Sequence, residues 1–294
     1  MKGFRIVGGS VPGTDHTQPG KPAWKNNQDA LQFVNGEGLL VAVVCDGCGS
    51  TPHSELGARF GAQLCAKTLQ VMARYANQAV GSSLISREPR LFLFDVQRSI
   101  LANLEQTARS LSVDQAEFER TIYEHFLFTI VGVVMTEETV LIFSIGDGAY
   151  AVNGDAHIIP PCEGNMPPYI AYQLLPGTMD PIHLDFKMHA HLPTAEVASL
   201  LIGTDGTADI IARANELMPV IGTPLGPLSQ FWEEERYIEN PDAIRRRLAM
   251  ANREWVDYEV DQDRRLVRYP QIKSGLLRDD TTLVVVRRES REED

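Results

Sequence analysis

The 294-residue sequence predicts an α+β fold in which antiparallel sheets carry helices on their outer faces. Three observations lead there. Strand-like runs arrive in adjacent groups, not in the strict strand–helix–strand alternation of a doubly wound parallel sheet. Some of these runs, Leu39–Cys45 above all, are almost wholly apolar, as a strand covered on both faces must be. Long stretches of helical periodicity stand between the groups and are well suited to roof a sheet.

Taken in order, Phe4–Gly8, Leu31–Asn35 and Leu39–Cys45 read as strands. From Ser54 to about Asn77 the pattern turns helical, with Leu56, Phe60 and Leu64 at four-residue spacing and Cys65, Leu69 and Met72 continuing the stripe. A second helix covers roughly Leu91–Ser110, and Ser112 with Gln115 has the form of a capping box opening a third. Strands return at Thr129–Met135, Thr139–Ile145 and Ala149–Val152, and Asn153-Gly154 marks a tight hairpin into His157–Ile159. Pro160–Thr178, with five prolines and two glycines, reads as an irregular, mobile segment. Leu184–Leu192 and Val197–Gly203 resume the strand pattern. Asn240-Pro241 opens a helix running to about Tyr258, Thr281–Arg287 is a last strand, and Arg288–Asp294 is a frayed charged tail. No repeat or low-complexity stretch divides the chain, so residues 1–294 are expected to form one domain.

Composition narrows the function. An apolar fraction of 44% supports a large buried core. A formal net charge of −12 argues against nucleic acid as a partner, because proteins that bind it present a basic face. A small phosphorylated substrate stays open, since bound metal ions invert the local sign of a site. The longest apolar runs fall short of the roughly 20 residues a membrane-spanning helix needs, and Met1–Arg5 lacks the apolar core of a secretion signal. Four cysteines are too few to staple a chain of this size and suggest reduced thiols in the cytoplasm.

The chemistry lies in aspartates at strand ends. Val41–Cys45 runs into Asp46-Gly47, Val140–Ile145 into Gly146-Asp147-Gly148, and Ser199–Gly203 into Thr204-Asp205-Gly206. Asp29 stands just before the strand at Leu31, and Asp279-Asp280 just before the strand at Thr281. Carboxylates gathered at one sheet edge are hard oxygen ligands suited to magnesium, manganese or calcium. Asp-Gly is also the commonest hairpin signal, so any one pair taken alone reads more readily as a turn. That reading holds most force at Asp147, where a strand follows. It is weaker at Asp46 and Asp205, where a loop or helix pattern follows.

These motifs, in this order, resemble the metal-dependent protein phosphatases of type 2C. Asn27-Gln28-Asp29-Ala30 is similar to the family's first acidic motif, and Asp46-Gly47-Cys48-Gly49-Ser50 to its Asp-Gly-x-Gly. Gly146-Asp147-Gly148 is similar to its Gly-Asp-Ser, Thr204-Asp205-Gly206 with Asp209 to its Asp-Gly-x-x-Asp, and Asp279-Asp280-Thr281-Thr282 to its closing motif. The resemblance implies a four-layer α-β-β-α sandwich of two antiparallel sheets flanked by helices. It implies a phosphoserine/phosphothreonine protein phosphatase that opposes a kinase and uses two Mg2+ or Mn2+ ions, with a place for a third. Asp46 would bridge the two ions with help from the Gly47 carbonyl, and Asp205 and Asp279 would complete one of them. Asp29 would act through water or by supporting the other ligands, while Asp147 and Asp209 match the third-ion positions. A hydroxide held between two cations about 4 Å apart would attack phosphorus directly, with no covalent intermediate. Pro160–Thr178 would form a flap beside the site.

The chain departs from the pattern in three places. Cys48 stands where many eukaryotic members have the histidine proposed as general acid, which points to the bacterial branch. Trp24 replaces the arginine that grips the substrate phosphate, leaving adjacent Lys25 as a point charge without the bidentate fork. Gln28 replaces the usual glutamate and should weaken metal binding. These departures keep two other readings open: a catalytically weak relative that acts as a regulatory binding module, and a phosphatase of small molecules. Cys45-Asp46-Gly47-Cys48 spells C-x-x-C but has no second pair of ligands. His189 and His191 read as one partly exposed strand face, and Arg245-Arg246-Arg247 as a solvated helix face.

Overall fold

The structure, a computed structural model, describes residues 1–17, 26–78, 84–161, 166–260, 263 and 266–289. The chain opens with β1 (Phe4–Val11) and one turn of helix, α1 (Thr14–Thr17). β2 (Asp29–Gly36) and β3 (Leu39–Asp46) form a hairpin, followed by α2 (Ser54–Gln78), α3 (Leu84–Arg87), α4 (Pro89–Ser110) and α5 (Gln115–His125). Next come β4 (Ile130–Thr136), β5 (Thr139–Ile145), β6 (Gly148–Val152), β7 (Asp155–Ile159), β8 (Lys187–Pro193) and β9 (Ser199–Gly203). Short helices α6 (Thr207–Ala212), α7 (Gln230–Glu233), α8 (Glu235–Glu239) and α9 (Ala243–Ala251) lead to a hairpin of β10 (Trp255–Val260) and β11 (Leu266–Lys273), then to β12 (Thr281–Arg288).

Two five-stranded sheets result, ordered β2-β3-β4-β5-β8 and β1-β12-β9-β6-β7, with every neighbouring pair antiparallel. The expected architecture is borne out, and β3 shows why. Its side chains alternate between two apolar environments. Leu40, Ala42 and Val44 meet Val284, Val286, Leu200 and Ile202 of the opposite sheet. Leu39, Val41, Val43 and Cys45 join a second core with Leu69, Ile100 and Ile122 of α2, α4 and α5. A third core seals the other outer face, where Leu201, Leu283 and Val285 pack with Ile210, Phe231, Ile244 and Leu248. Three apolar interfaces define four layers, and a strand with both faces covered has no polar alternation to display.

Details of the sequence reading change. Of the stripe expected on α2, Cys65 and Leu69 are buried and Phe60, Leu64 and Met72 pack partly buried against the core, while Leu56 is exposed; Ala58, Ala62, Ala66 and Ala73 complete the buried face. Small residues win because the helix lies very close: a Cβ on Gly57 would come within 1.8 Å of the His125 carbonyl oxygen, and one on Gly61 within 2.4 Å of the Phe128 ring. Gly57→Ala is therefore expected to cost about 2 kcal/mol in urea unfolding, although alanine is the better helix former by about 1 kcal/mol. The third helix is capped by Asp114, whose carboxylate accepts from Glu117 N, while Glu117 accepts from Val113 N. Ser112 instead donates to Ala108 O at the end of α4. The helix opened near Asn240 ends at Ala251, and Tyr258 belongs to β10, whose hairpin with β11 the sequence reading missed. Arg245 and Arg246 pair with Asp242, but Arg247 is no solvated charge: it donates to Pro224 O and Leu225 O.

Other expectations hold. Asn153 and Gly154 take the positive φ of a tight hairpin (51° and 94°). His189 bonds Ser144 Oγ at 2.7 Å and leans on Tyr150. Residues 162–165 of the expected flap, and 290–294 of the tail, lie outside the described residues. The described part of the flap packs firmly, with Ile170 and Ala171 wholly buried. Among the described residues, no helix is long and apolar enough to cross a membrane.

Candidate metal centre

One end of the sandwich collects the aspartates. Asp29 begins β2 and Asp46 ends β3, directly opposite each other in the ladder. Asp147 sits where the chain crosses from β5 in one sheet to β6 in the other, so its Gly-Asp-Gly is a crossover and not a hairpin. Asp205 follows β9, and Asp279 with Asp280 precedes β12, the antiparallel neighbour of β9. Asp46, Gly47, Asp147, Asp205 and Asp279 line one cavity of about 300 Å³, together with His16, Gln28, Cys48 and, from the flap, Pro167 and Tyr169.

The glycines beside the aspartates settle the turn question. A Cβ on Gly47 would meet Ser54 O at 2.5 Å, and one on Gly206 would meet Asp280 O at 2.1 Å. Neither has positive φ. These are glycines of close approach, needed where backbone presses on backbone behind the carboxylate. Gly146 differs, with φ of 92° as it turns the crossover.

Asp29 lies behind the cavity wall, 4% exposed. Its Oδ2 accepts from Thr204 Oγ1 at 2.7 Å, and its Oδ1 is buried with no hydrogen-bond partner among the described residues. Gln28 Oε1 is likewise unpartnered there, while its amide donates to Ser54 Oγ. Asp209 lies off the cavity wall: it accepts from Arg278 N at 2.7 Å and approaches Arg213 at 3.5 Å. Trp24 and Lys25 lie outside the described residues.

Asp280, legible in the sequence only as part of the closing motif, and His16, which no motif marks, both shape the site. The carboxylate of Asp280, 1% exposed, accepts from Gly13 N at 2.7 Å and Gln28 N at 2.5 Å. It thus pins the segment before β2 to the segment before β12. Asp280→Ala leaves two buried donors unsatisfied and should cost about 3 kcal/mol or more in chemical denaturation. His16, on α1, lies with Nδ1 2.9 Å from Asp280 Oδ1 and Nε2 3.7 Å from Asp279 Oδ1. No local pattern announces either role, since the partners meet only in the folded chain.

Electrostatics make the cluster self-repelling. Burial and then the charge of Asp280 push Asp29 well above the usual carboxylate range. Burial does the same to Asp46, followed by the charges of Asp29, Asp205, Asp279 and Asp147. Asp205 is pushed up to about 7 by burial and by Asp279 and Asp147. Burial also raises Asp147 and Asp279. Among the described residues, no three such side chains crowd to ligand spacing about one point. The aspartates stand along the cavity wall, as like charges do. An all-oxygen donor set, unpartnered buried oxygens and carboxylates held above their ordinary pKa fit hard divalent cations, whose charge would offset the repulsion.

Comparisons with known proteins bear on the family and the fold. A family model described as Protein phosphatase 2C matches residues 13–241. Among solved structures, the chain is similar to a bacterial serine phosphatase carrying an arginine-to-lysine substitution, with 14% identity over 98% of each chain and a TM-score of 0.51. It is also similar to the catalytic domain of serine threonine protein phosphatase PstP in complex with 2 manganese ions, at 14% identity over 98% of this chain and 99% of that one, TM-score 0.45. A serine/threonine phosphatase from Staphylococcus aureus is 14% identical over 97% of this chain and 95% of that one, TM-score 0.46. No curated protein matches the sequence.

Proposed function

This chain belongs to the protein phosphatase 2C family, and from that premise we propose that it is a divalent-cation-dependent phosphoserine/phosphothreonine protein phosphatase acting against a kinase. The observation that carries the reading is the convergence of Asp46, Asp147, Asp205 and Asp279, drawn from both sheets, on one cavity wall. Asp46, Asp205 and Asp279 would hold two Mg2+ or Mn2+ ions, with the Gly47 carbonyl assisting and Asp29 supporting Asp46 across the β2–β3 ladder. Asp147 and Asp209 would serve a third ion. When bound, the cations supply a water of lowered pKa and neutralise phosphoryl charge.

The protein's own part is orientation and exclusion. Thr204 fixes Asp29, and Thr129 Oγ1 accepts from Asp46 N at 3.3 Å, so the carboxylates face the cavity from braced strand ends. Tyr169 and Pro167 close one side, which lets a phosphorylated side chain enter while the rest of the substrate stays outside. Cys48 sits on this wall 3.2 Å from Ser50 Oγ, and burial pushes the Tyr169 hydroxyl above its ordinary range. That makes Tyr169 a poor proton donor, and the leaving group would take its proton from solvent.

The test is hydrolysis of p-nitrophenyl phosphate and of phosphoserine and phosphothreonine peptides, with Mn2+, with EDTA, and with Asp205→Ala. Manganese-dependent turnover lost in EDTA and in the variant is expected. Absence of any manganese-dependent turnover would favour the regulatory binding module, for which Gln28 in place of an acid is the supporting observation. Turnover of p-nitrophenyl phosphate without peptide turnover would favour a small-molecule substrate.

A further inference from the structure

We infer that the groove between α4 and the start of β8 docks an acidic segment of a partner protein, anchored by one aromatic side chain. The inference stands apart from the metal centre, since it requires neither a cation nor turnover.

The groove is a cavity of about 490 Å³ with two walls. From α4 come Arg90, Leu93, Phe94 and Gln97, whose spacing puts them on one helix face. The second wall is the extended segment from Asp185 to Met188, which runs into β8. Its side chains alternate. Phe186 and Met188 turn onto the core, with Phe186 edge-on to Phe143 at 4.8 Å, while Asp185 and Lys187 are exposed. An apolar floor with a polar rim results. It stays open because β8 is the edge strand of its sheet, and among the described residues no further strand closes that side.

Charge says what covers it. The chain carries a net charge of −12, yet the rim is cationic. Among the described residues neither Arg90 nor Lys187 is paired with a carboxylate, and Arg98 lies over the Phe94 ring at 5.8 Å instead. Elsewhere on the helices Arg109, Arg120, Arg245 and Arg246 are each neutralised by an acid three or four residues earlier. Asp185, the one acid lining the groove, accepts from Gln97 Nε2 at 3.3 Å and is held to the helix wall. Beside the rim, Leu91 and Phe94 are half exposed, so α4 shows two large apolar side chains to water next to the apolar floor. An aromatic side chain flanked by carboxylates satisfies floor and rim together. The groove also lies at the base of the flap. Leu184 O, next to Asp185, accepts from Gln97 Nε2 at 2.9 Å and from Gln173 Nε2 at 2.8 Å, and Gln173 lies in the short turn that follows Tyr169.

The experiment is fluorescence anisotropy of a fluorescein-labelled, unphosphorylated peptide, one phenylalanine flanked by glutamates, titrated with the full chain in EDTA. Without cations the aspartate cavity repels such a peptide, so only the groove attracts it. Saturable binding that weakens with added salt is expected. Replacing the phenylalanine of the peptide by alanine, or its glutamates by lysines, should weaken binding at least about 10-fold. The double variant Arg90→Glu, Lys187→Glu should do the same and leave p-nitrophenyl phosphate turnover unchanged, since both side chains are exposed and off the aspartate cavity. No binding by wild type up to about 1 mM overturns the inference. So does equal binding by the charge-reversed variant, or by the lysine peptide. Calorimetry with decanoate is the remaining arm: binding of decanoate but not of the peptide gives the cavity to a small amphiphile and overturns the docking role. The peptide series needs no protein variant, and none of these outcomes depends on whether the chain turns over a phosphomonoester.

Discussion

Asp46→Asn should lower turnover of a phosphomonoester at least about a thousandfold while raising the melting temperature of the EDTA-treated protein by roughly 5 °C. Both effects come from one place. Asp46 is half-buried opposite Asp29, with Asp205, Asp279 and Asp147 adding charge of the same sign. An amide of the same shape removes one of those charges, so the folded chain loses repulsion without losing packing. The same change deprives the proposed pair of cations of their bridging carboxylate, and phosphomonoesters are too stable to hydrolyse without that charge neutralisation. Thermal melts at pH 8 in EDTA, beside p-nitrophenyl phosphate assays with Mn2+, measure the two effects. A melting temperature that falls would mean that Asp46 supports the fold and is not strained within it.

The cation-free protein is expected to lose stability as pH rises. A carboxylate with a raised pKa keeps its proton in the folded state after the unfolded chain has released it. Between about pH 4, where an ordinary aspartate ionises, and about 7, the position of Asp205, folding therefore takes up protons and stability falls with increasing pH. Asp29 and Asp46, raised further by burial, extend the fall upward. Mn2+ at about 100 times its dissociation constant adds about 2.7 kcal/mol, which corresponds to a rise of about 5–10 °C in melting temperature at pH 8. The rise should be smaller at pH 5, where the cation must first displace protons. Melts at pH 5 and pH 8, with and without Mn2+, read both slopes; equal cation effects at the two values would exclude these carboxylates as the binding groups.

Much of this arrangement was legible in the sequence, and the misses share causes. Strands such as Thr139–Ile145 declare themselves because apolar β-branched runs bounded by turn residues have few other uses. Helical spacing finds a stripe of apolar residues on α2, all but Leu56 of which join or pack on the core, but not the alanines and glycines that contact with backbone selects. The start of the β10–β11 hairpin is hidden in the sequence, since no glycine or proline lies between Ala243 and Tyr258 to end the helical pattern. The aspartates were visible as strand-end motifs, yet only the close contacts of Gly47 and Gly206 separate them from hairpins. His16 carries no pattern, and Asp280 shows only as part of the closing motif, with nothing to reveal what it holds. Their chemistry arises from a meeting of residues near opposite ends of the chain, such as Gly13 and Asp280, 267 positions apart.

The strand order has a consequence for how the chain is made. β12 lies between β1 and β9, yet it is synthesised after every other strand of its sheet. On the ribosome, β1 must wait without a neighbour, while β9 can pair with β6 alone. The other sheet holds all its strands by Pro193 and is free to assemble early. A nascent chain stopped short of Thr281 would thus carry half a sandwich with an open edge, the kind of surface that chaperones cover. Asp279 and Asp280 arrive immediately before the strand that closes it, so the carboxylate cluster and the second sheet are completed in the same step.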